Sequence, residues 1–193
     1  MRMSGKVSVQ GTGVLLLNSF TQEVLSEKTP KSGSTGNNHE EWKKGVLMTQ
    51  DRELYLLPTH FLASFKEGGK YIKVGRGNVS KKLVSTLTIP DTKIMLDGLK
   101  VPADADLLRL DTEPVYLDVR GVVNPMTKGR NLRYRIACRK GWTASFTVEW
   151  DDYVVSKETI KLCAENAGMF SGVGDGRAIG LGRYIITKVS FAN

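Results

Sequence analysis

Between Gly172 and Phe191 the chain reads GVGDGRAIGLGRYIITKVSF, with five glycines (Gly172, Gly174, Gly176, Gly180 and Gly182) lying between a helical pattern and an apolar strand pattern. Glycine reaches backbone conformations closed to other residues and lets another chain approach the main chain closely. Any fold built from this sequence must therefore end helix, glycine loop, strand. Arg177 and Arg183 add positive charge to the loop, and only Asp175 opposes it. A basic glycine-rich loop at this position suits a phosphate backbone. A tight turn that serves only the fold is the other reading, and the loop alone leaves both open.

The charge balance bears on that choice. Lys and Arg number 28 against 20 acids, a net charge of +8, which favours a polyanionic partner. With 193 residues the sequence predicts one domain, 1–193, with insertions and a core that needs no covalent staples. Cys138 and Cys163 form no CxxC pattern, so neither zinc nor a disulfide framework is expected, and no cofactor motif appears. The start, MRMSGKVSVQ, lacks the apolar segment of a signal peptide, and no apolar run reaches membrane length. A cytoplasmic protein without a membrane partner is expected.

Periodicity supplies the elements. Lys6 to Gly11 alternates Val7 and Val9 with polar residues, as a half-buried strand does, and continues through a bulge at Gly11 and Gly13 into Val14 to Leu17. A flexible insertion is expected at about 18–57, rich in Ser, Thr, Gly, Asn and Lys, with short strands at Val46 to Met48 and Leu54 to Leu57. Pro58 and Thr59 start a helix, with Thr59 as cap and Phe61, Leu62, Phe65 and Ile72 on one stripe, ending near Gly68 and Gly69. The segment after it holds Lys70, Lys73, Arg76, Lys81 and Lys82 without an acid, either a solvated face or a contact surface. Asp104, Asp106, Asp111 and Glu113 make an acidic connector to a strand over Val115 to Val123. Ser156 caps a second helix, with Ile160, Cys163, Ala164 and Ala167 at helical spacing, ending at Gly168.

Arg120 to Trp142 contains no acid. Strand parity puts Leu132, Tyr134, Ile136 and Cys138 on one face and Arg133, Arg135, Ala137 and Arg139 on the other. The apolar face belongs in the core. The other is a row of arginines, which repels itself unless an anion lies across it or the acidic connector neutralises it. Arg139, Lys140 and Gly141 then turn the chain into Thr143 to Trp150, where alternation resumes; the pattern predicts a basic β-hairpin. Trp142 and Tyr184 are the candidates for base stacking.

Helices separated by strand pairs, with a strand at each end, predict an α+β fold with a ferredoxin-like (RRM-type) βαββαβ core carrying insertions. On that core the loop GVGDGRAIGLGRY resembles that of the RAMP superfamily of CRISPR-associated proteins. The chain is also similar to a group of phage and prophage proteins in which segments like VLLLNSF, YLLPTHF and NPMTKGRNLRYR precede such a loop. The RAMP resemblance implies guide or precursor RNA as ligand and backbone subunits that polymerise along it. It implies that Gly172, Gly174, Gly180 and Gly182 lie near the nucleic-acid backbone, that Lys128, Arg130 and the hairpin add charge, and that the insertion is an extra subdomain.

The expected function is binding of single-stranded RNA or DNA by a self-associating multimer, through Lys70, Lys73, Arg76, Lys128, Arg130, Arg133, Arg135, Arg139, Lys140, Arg177, Arg183 and the loop glycines. Catalytic residues are not expected: His39 lies in the polar insertion, His60 in a first helical turn, and neither has an evident partner. The alternatives are a metal-independent RAMP-type endoribonuclease, and a phage structural or inhibitor protein that turns the basic face to an acidic protein.

Overall fold

In this computed structural model, which describes residues 1–19, 39–103, 113–123, 126 and 128–192, the chain opens with a long strand, β1 (Arg2–Gly11), and a short one, β2 (Leu15–Leu17). A helical turn, α1 (Glu41–Gly45), leads to β3 (Glu53–Leu56) and the helix α2 (Pro58–Gly69). A ribbon of β4 (Lys73–Val74) and β5 (Gly77–Asn78) precedes α3 (Ser80–Thr86) and β6 (Ile94–Lys100). Three long strands follow: β7 (Val115–Val123), β8 (Arg130–Cys138) and β9 (Thr143–Asp151). The helix α4 (Lys157–Asn166) runs directly into a π-helical turn (Ala167–Ser171), and the glycine loop then leads to β10 (Tyr184–Ala192).

The main sheet has the order β10-β1-β9-β6-β3, with every pairing antiparallel. A second antiparallel sheet, β2-β8-β7, is assembled from segments inserted between these strands. The architecture is mixed, with helices and antiparallel sheets. No helix among the described residues is long and apolar enough to cross a membrane.

Alternation decides which face of each strand is buried. Val7 and Val9 of β1 and Ala144, Phe146, Val148 and Trp150 of β9 are buried, while Lys6 and Gln10 face solvent. Phe61 and Phe65, one helical turn apart on α2, lie against them, with the Phe61 ring 4.3 Å from Phe146. Burial of each such side chain stabilises the fold by about 1.5–3 kcal/mol. Gly68 marks the contact of α2 with α4, since a Cβ there would stand 2.4 Å from the Cys163 carbonyl oxygen. The Tyr184 phenol, wholly buried behind this contact, shares a 3.1 Å hydrogen bond with the Ser64 hydroxyl. One buried cluster joins both sheets, because Leu15, Leu117, Tyr134 and Ile136 pack into the same core as Val9 and Phe65.

Several expectations are corrected. The basic hairpin does not form as expected: β8 and β9 belong to different sheets, and the hairpin partner of β8 is β7, paired from Val115↔Cys138 to Val123↔Arg130. The turn at Arg139–Trp142 moves the chain between sheets, pinned by the Trp142 indole N–H donating to the Gly13 carbonyl (3.1 Å). Likewise Gly11 to Gly13 is no bulge within one strand, since β1 and β2 lie in separate sheets; the register shift in β1 falls at Ser8/Val9. Pro58 opens α2 as its first residue, so Leu57 occupies the cap and Thr59 lies inside the helix. The second helix does carry the Ser156 cap, which accepts from the Thr159 N–H, but helical structure runs past Gly168 to Ser171. Residues 20–38 of the insertion, and Asp104, Asp106 and Asp111 of the acidic connector, lie outside the described residues.

Candidate nucleic-acid interface

On β8, Tyr134, Ile136 and Cys138 are buried as parity expects, while Leu132, expected beside them in the core, is exposed. The arginine face, however, is not an unopposed row. Arg133 forms an ion pair with Glu41 of α1 (2.7 Å), and Arg135 with Asp175 of the glycine loop (2.5 Å). Arg139 donates from Nε to the Glu113 carbonyl (2.8 Å) and lies over the Tyr116 ring. On β7, opposite in register, Arg120 grips both oxygens of the buried Asp118. Glu41 and Asp175 come from segments distant in sequence, which is why arginines in an acid-free stretch can still be paired with carboxylates.

The glycine loop lies on that same face. The Val173 N–H donates to the Gly182 carbonyl (2.9 Å), the Gly182 N–H to the Val14 carbonyl (2.8 Å), and the Asp175 N–H to the Leu16 carbonyl (2.9 Å). Leu181 packs on Leu16, Tyr116 and Ala137, so Ala137 is buried under the loop instead of belonging to a solvent face. All five loop glycines have positive φ, from 69° to 85°. Gly182 has no room for a side chain, since a Cβ would sit 1.8 Å from the Val173 carbonyl oxygen. The space it leaves is filled by the loop's own main chain. Gly180, at the exposed tip, has open space around it.

Asp175 anchors this arrangement. Burial pushes its carboxyl upward, but Arg135, the Gly176 N–H (2.7 Å) and the Asn18 amide (3.4 Å) together hold it below the ordinary carboxylate range. Arg135, only 12% exposed, is thereby committed to the loop.

The remaining candidate cations fall into separate places. Lys70 bridges Glu67 (2.7 Å), and Lys73 and Arg76 are exposed on the β4–β5 ribbon. Lys128 and Arg130 are exposed at the far end of the β7–β8 hairpin, beside Val122, Val123 and Met126, which are also exposed. Lys140 lines a cavity of about 400 Å³ with Val14, Tyr116, Asp118 and Arg139. Arg183 is half-buried just before β10, and its Nη1 has no hydrogen-bond partner among the described residues. The structure thus brings Arg133, Arg135, Arg139 and the glycine loop together, and leaves Lys128 and Arg130 apart at the hairpin end.

On the outer side of the glycine loop is an open cleft of about 650 Å³, walled by α2, the π-helical turn and the loop; Lys66, Glu67, Tyr71, Phe170, Asp175 and Arg177 line it. Its two carboxylates are already engaged, Glu67 by Lys70 and Asp175 by Arg135. Lys66 and Arg177 have no carboxylate partner among the described residues. The cleft therefore carries excess positive charge. Tyr71 and Phe170 stand exposed in it with ring centroids 4.4 Å apart.

Lys66, Tyr71 and Phe170 were not singled out in the sequence. Phe170 follows the glycine at which the helix was expected to stop, and only the π-helical turn carries it to the cleft. Trp142 and Tyr184, the expected stacking candidates, are both buried and unavailable to a ligand. His60 is depressed below the usual imidazole range, first by burial and then by the nearby Arg177 charge, and its Nδ1 lacks a hydrogen-bond partner among the described residues. His39 stacks near the Tyr134 ring (4.7 Å). Burial pushes the thiols of Cys138 and Cys163 each up to about 12. Among the described residues no group of three or more His, Cys, Asp or Glu side chains could hold a metal ion.

No family model and no curated protein matches the chain by sequence. Solved structures do match its fold. Cmr6 from Pyrococcus furiosus is similar with a TM-score of 0.53 at 10% identity, covering 97% of this chain and 98% of that one. A chain in the structure of Type III-B Cmr-beta bound to cognate target RNA is similar with a TM-score of 0.54 at 10% identity. That match covers all of this chain, which spans 61% of the length of the Cmr-beta chain.

Proposed function

We propose that the chain is a RAMP-type, CRISPR-associated binding module for single-stranded nucleic acid, RNA in the first instance, acting as one domain over 1–193. The observation that carries this reading is the cleft beside the glycine loop, where both carboxylates are neutralised internally and Lys66 and Arg177 are left over. A strand of phosphates supplies the missing counter-charge. Two further findings support it. The order β10-β1-β9-β6 within the five-stranded sheet is consistent with the last–first–third–second arrangement expected of a ferredoxin-like βαββαβ core, and a chain of similar fold occurs in Cmr-beta bound to target RNA. Arg135 serves as a positioning residue that holds the loop through Asp175, while Lys73, Arg76 and Arg177 meet the strand.

Binding should weaken as salt rises, with a slope of about 0.7 per phosphate contact on a single strand. Replacing Lys66 and Arg177 together by Ala should lower that slope by about 1.4. An unchanged slope in the double variant places the phosphate contacts elsewhere. The module is proposed to bind without cleaving: His60, shielded and depressed, has no acid–base partner among the described residues. Multiple-turnover cleavage of RNA that is lost on His60→Ala overturns this point. Self-association along the strand completes the proposal. Native mass measurement over a series of oligonucleotide lengths tests it, with stepwise stoichiometry expected and one protein per strand at every length refuting it.

A further inference from the structure

We propose that the exposed Tyr71–Phe170 pair is a stacking site for one nucleobase of the bound strand, an inference that rests on the single-stranded nucleic-acid binding proposed above. Tyr71 is 59% exposed and Phe170 42%, although their rings lie against each other. Aromatic side chains carry large apolar faces, and two such faces left side by side in a cleft mark a place where a third flat group fits.

The mounting of the pair is rigid. Tyr71 follows the last turn of α2, its N–H donating to the buried Gly68 (3.2 Å). Phe170 sits in the π-helical turn closed by the Gly172 N–H donating to Ala167 (2.8 Å). Both helix ends are locked in the core at the contact of Gly68 with α4. Little ordering is therefore left for a ligand to impose.

Charge selects the occupant. An apolar peptide segment gains nothing from the unpartnered Lys66 and Arg177 in the cleft, or from Lys73 and Arg76 just beyond Tyr71. A nucleotide presents both chemistries at once, a π face for the rings and a phosphate for the cations. The cleft, at about 650 Å³, falls within the range of small-ligand sites, about 300–1,000 Å³. Base–aromatic stacking of this kind is tolerant of sequence, because every base has a π face.

The test compares a mixed-sequence single-stranded RNA with a fully abasic strand of the same length, by fluorescence anisotropy at several salt concentrations. Wild-type protein should bind the abasic strand about 5- to 160-fold more weakly. Tyr71→Leu should bind the normal strand more weakly with an unchanged salt slope, and should discriminate less against the abasic one. Tyr71→Phe should restore both, and Phe170→Leu provides a second variant should Tyr71→Leu fold poorly. Lys66→Ala with Arg177→Ala should do the reverse, lowering the slope while keeping discrimination. Equal binding of the two strands by wild type overturns the stacking site alone. Undiminished discrimination in both Leu variants also overturns it. Failure of wild type to bind either strand removes the underlying reading as well.

Discussion

Adding a single methyl group at Gly182 or at Gly180 separates two explanations of the glycine loop. If the glycines exist so that a nucleic-acid backbone can approach, both substitutions should weaken binding and leave the free protein stable. The structure predicts otherwise. Both residues have positive φ, +69° at Gly182 and +85° at Gly180. Holding an alanine there costs about 1–2 kcal/mol. The reduced freedom of the unfolded chain offsets about 0.4–1 kcal/mol of that. At Gly180 nothing lies within 4 Å of the added Cβ, so the net loss stays at about 0–1.5 kcal/mol. At Gly182 the Cβ would stand 1.8 Å from the Val173 carbonyl oxygen, a main-chain atom of the residue whose N–H already donates to the Gly182 carbonyl. Overpacking adds about 1–3 kcal/mol there, for a total of about 1–4.5 kcal/mol. For a chain of this size that is a fall in Tm of about 2–18 °C, against no more than about 6 °C at Gly180. Thermal and urea unfolding of ligand-free protein measure both. A Gly182→Ala protein as stable as wild type but unable to bind a strand would refute the internal-packing account and return the glycine to the ligand.

Asp175→Asn should destabilise the protein at pH 7 by about 1–3 kcal/mol, between an exposed pair and a buried one. Because the folded carboxyl is held below its unfolded value, its contribution is present above about pH 3.9 and lost as the pH falls further. The variant should therefore show a shallower loss of Tm below that pH, and an equally steep loss would show that other carboxylates dominate. His60 is depressed in the folded state, so wild-type stability should be full above about pH 6.5 and fall as the solution is acidified; His60→Gln should flatten that fall in thermal scans from pH 7.5 to 5.5. Cys138 and Cys163, buried and raised to about 12, should not react with a thiol reagent until the protein unfolds. Rapid labelling of native protein would contradict their burial.

Local periodicity was enough to locate what β1 and β9 bury and most of what β8 buries, though not the buried Tyr116 and Asp118 of β7 or Ala137 of β8. Val7 and Val9, Ala144 to Trp150, and Tyr134 to Cys138 alternate as strands do, and they are the residues found in the core. The Ser156 cap and the Phe61–Phe65 stripe were legible for the same reason: their signals lie within one helical turn. The helix α3 was not, because Lys81 and Lys82 mask a segment whose deeply buried apolar residue is Leu83. Which strands pair was also beyond local pattern. Arg139 to Trp142 reads as a hairpin turn, yet the apolar run Leu15–Leu17 takes one edge of β8 and Val115–Val123 the other, sending β9 to the main sheet. The same holds for charge. Composition alone establishes a surplus of cations, but Coulomb attraction depends on distance in space, and only the tertiary structure brings Glu41 to Arg133 and Asp175 to Arg135. That pairing turns the arginine row into support for the glycine loop, and leaves the free charge at Lys66 and Arg177, on helix and loop surfaces that no stretch of sequence joins.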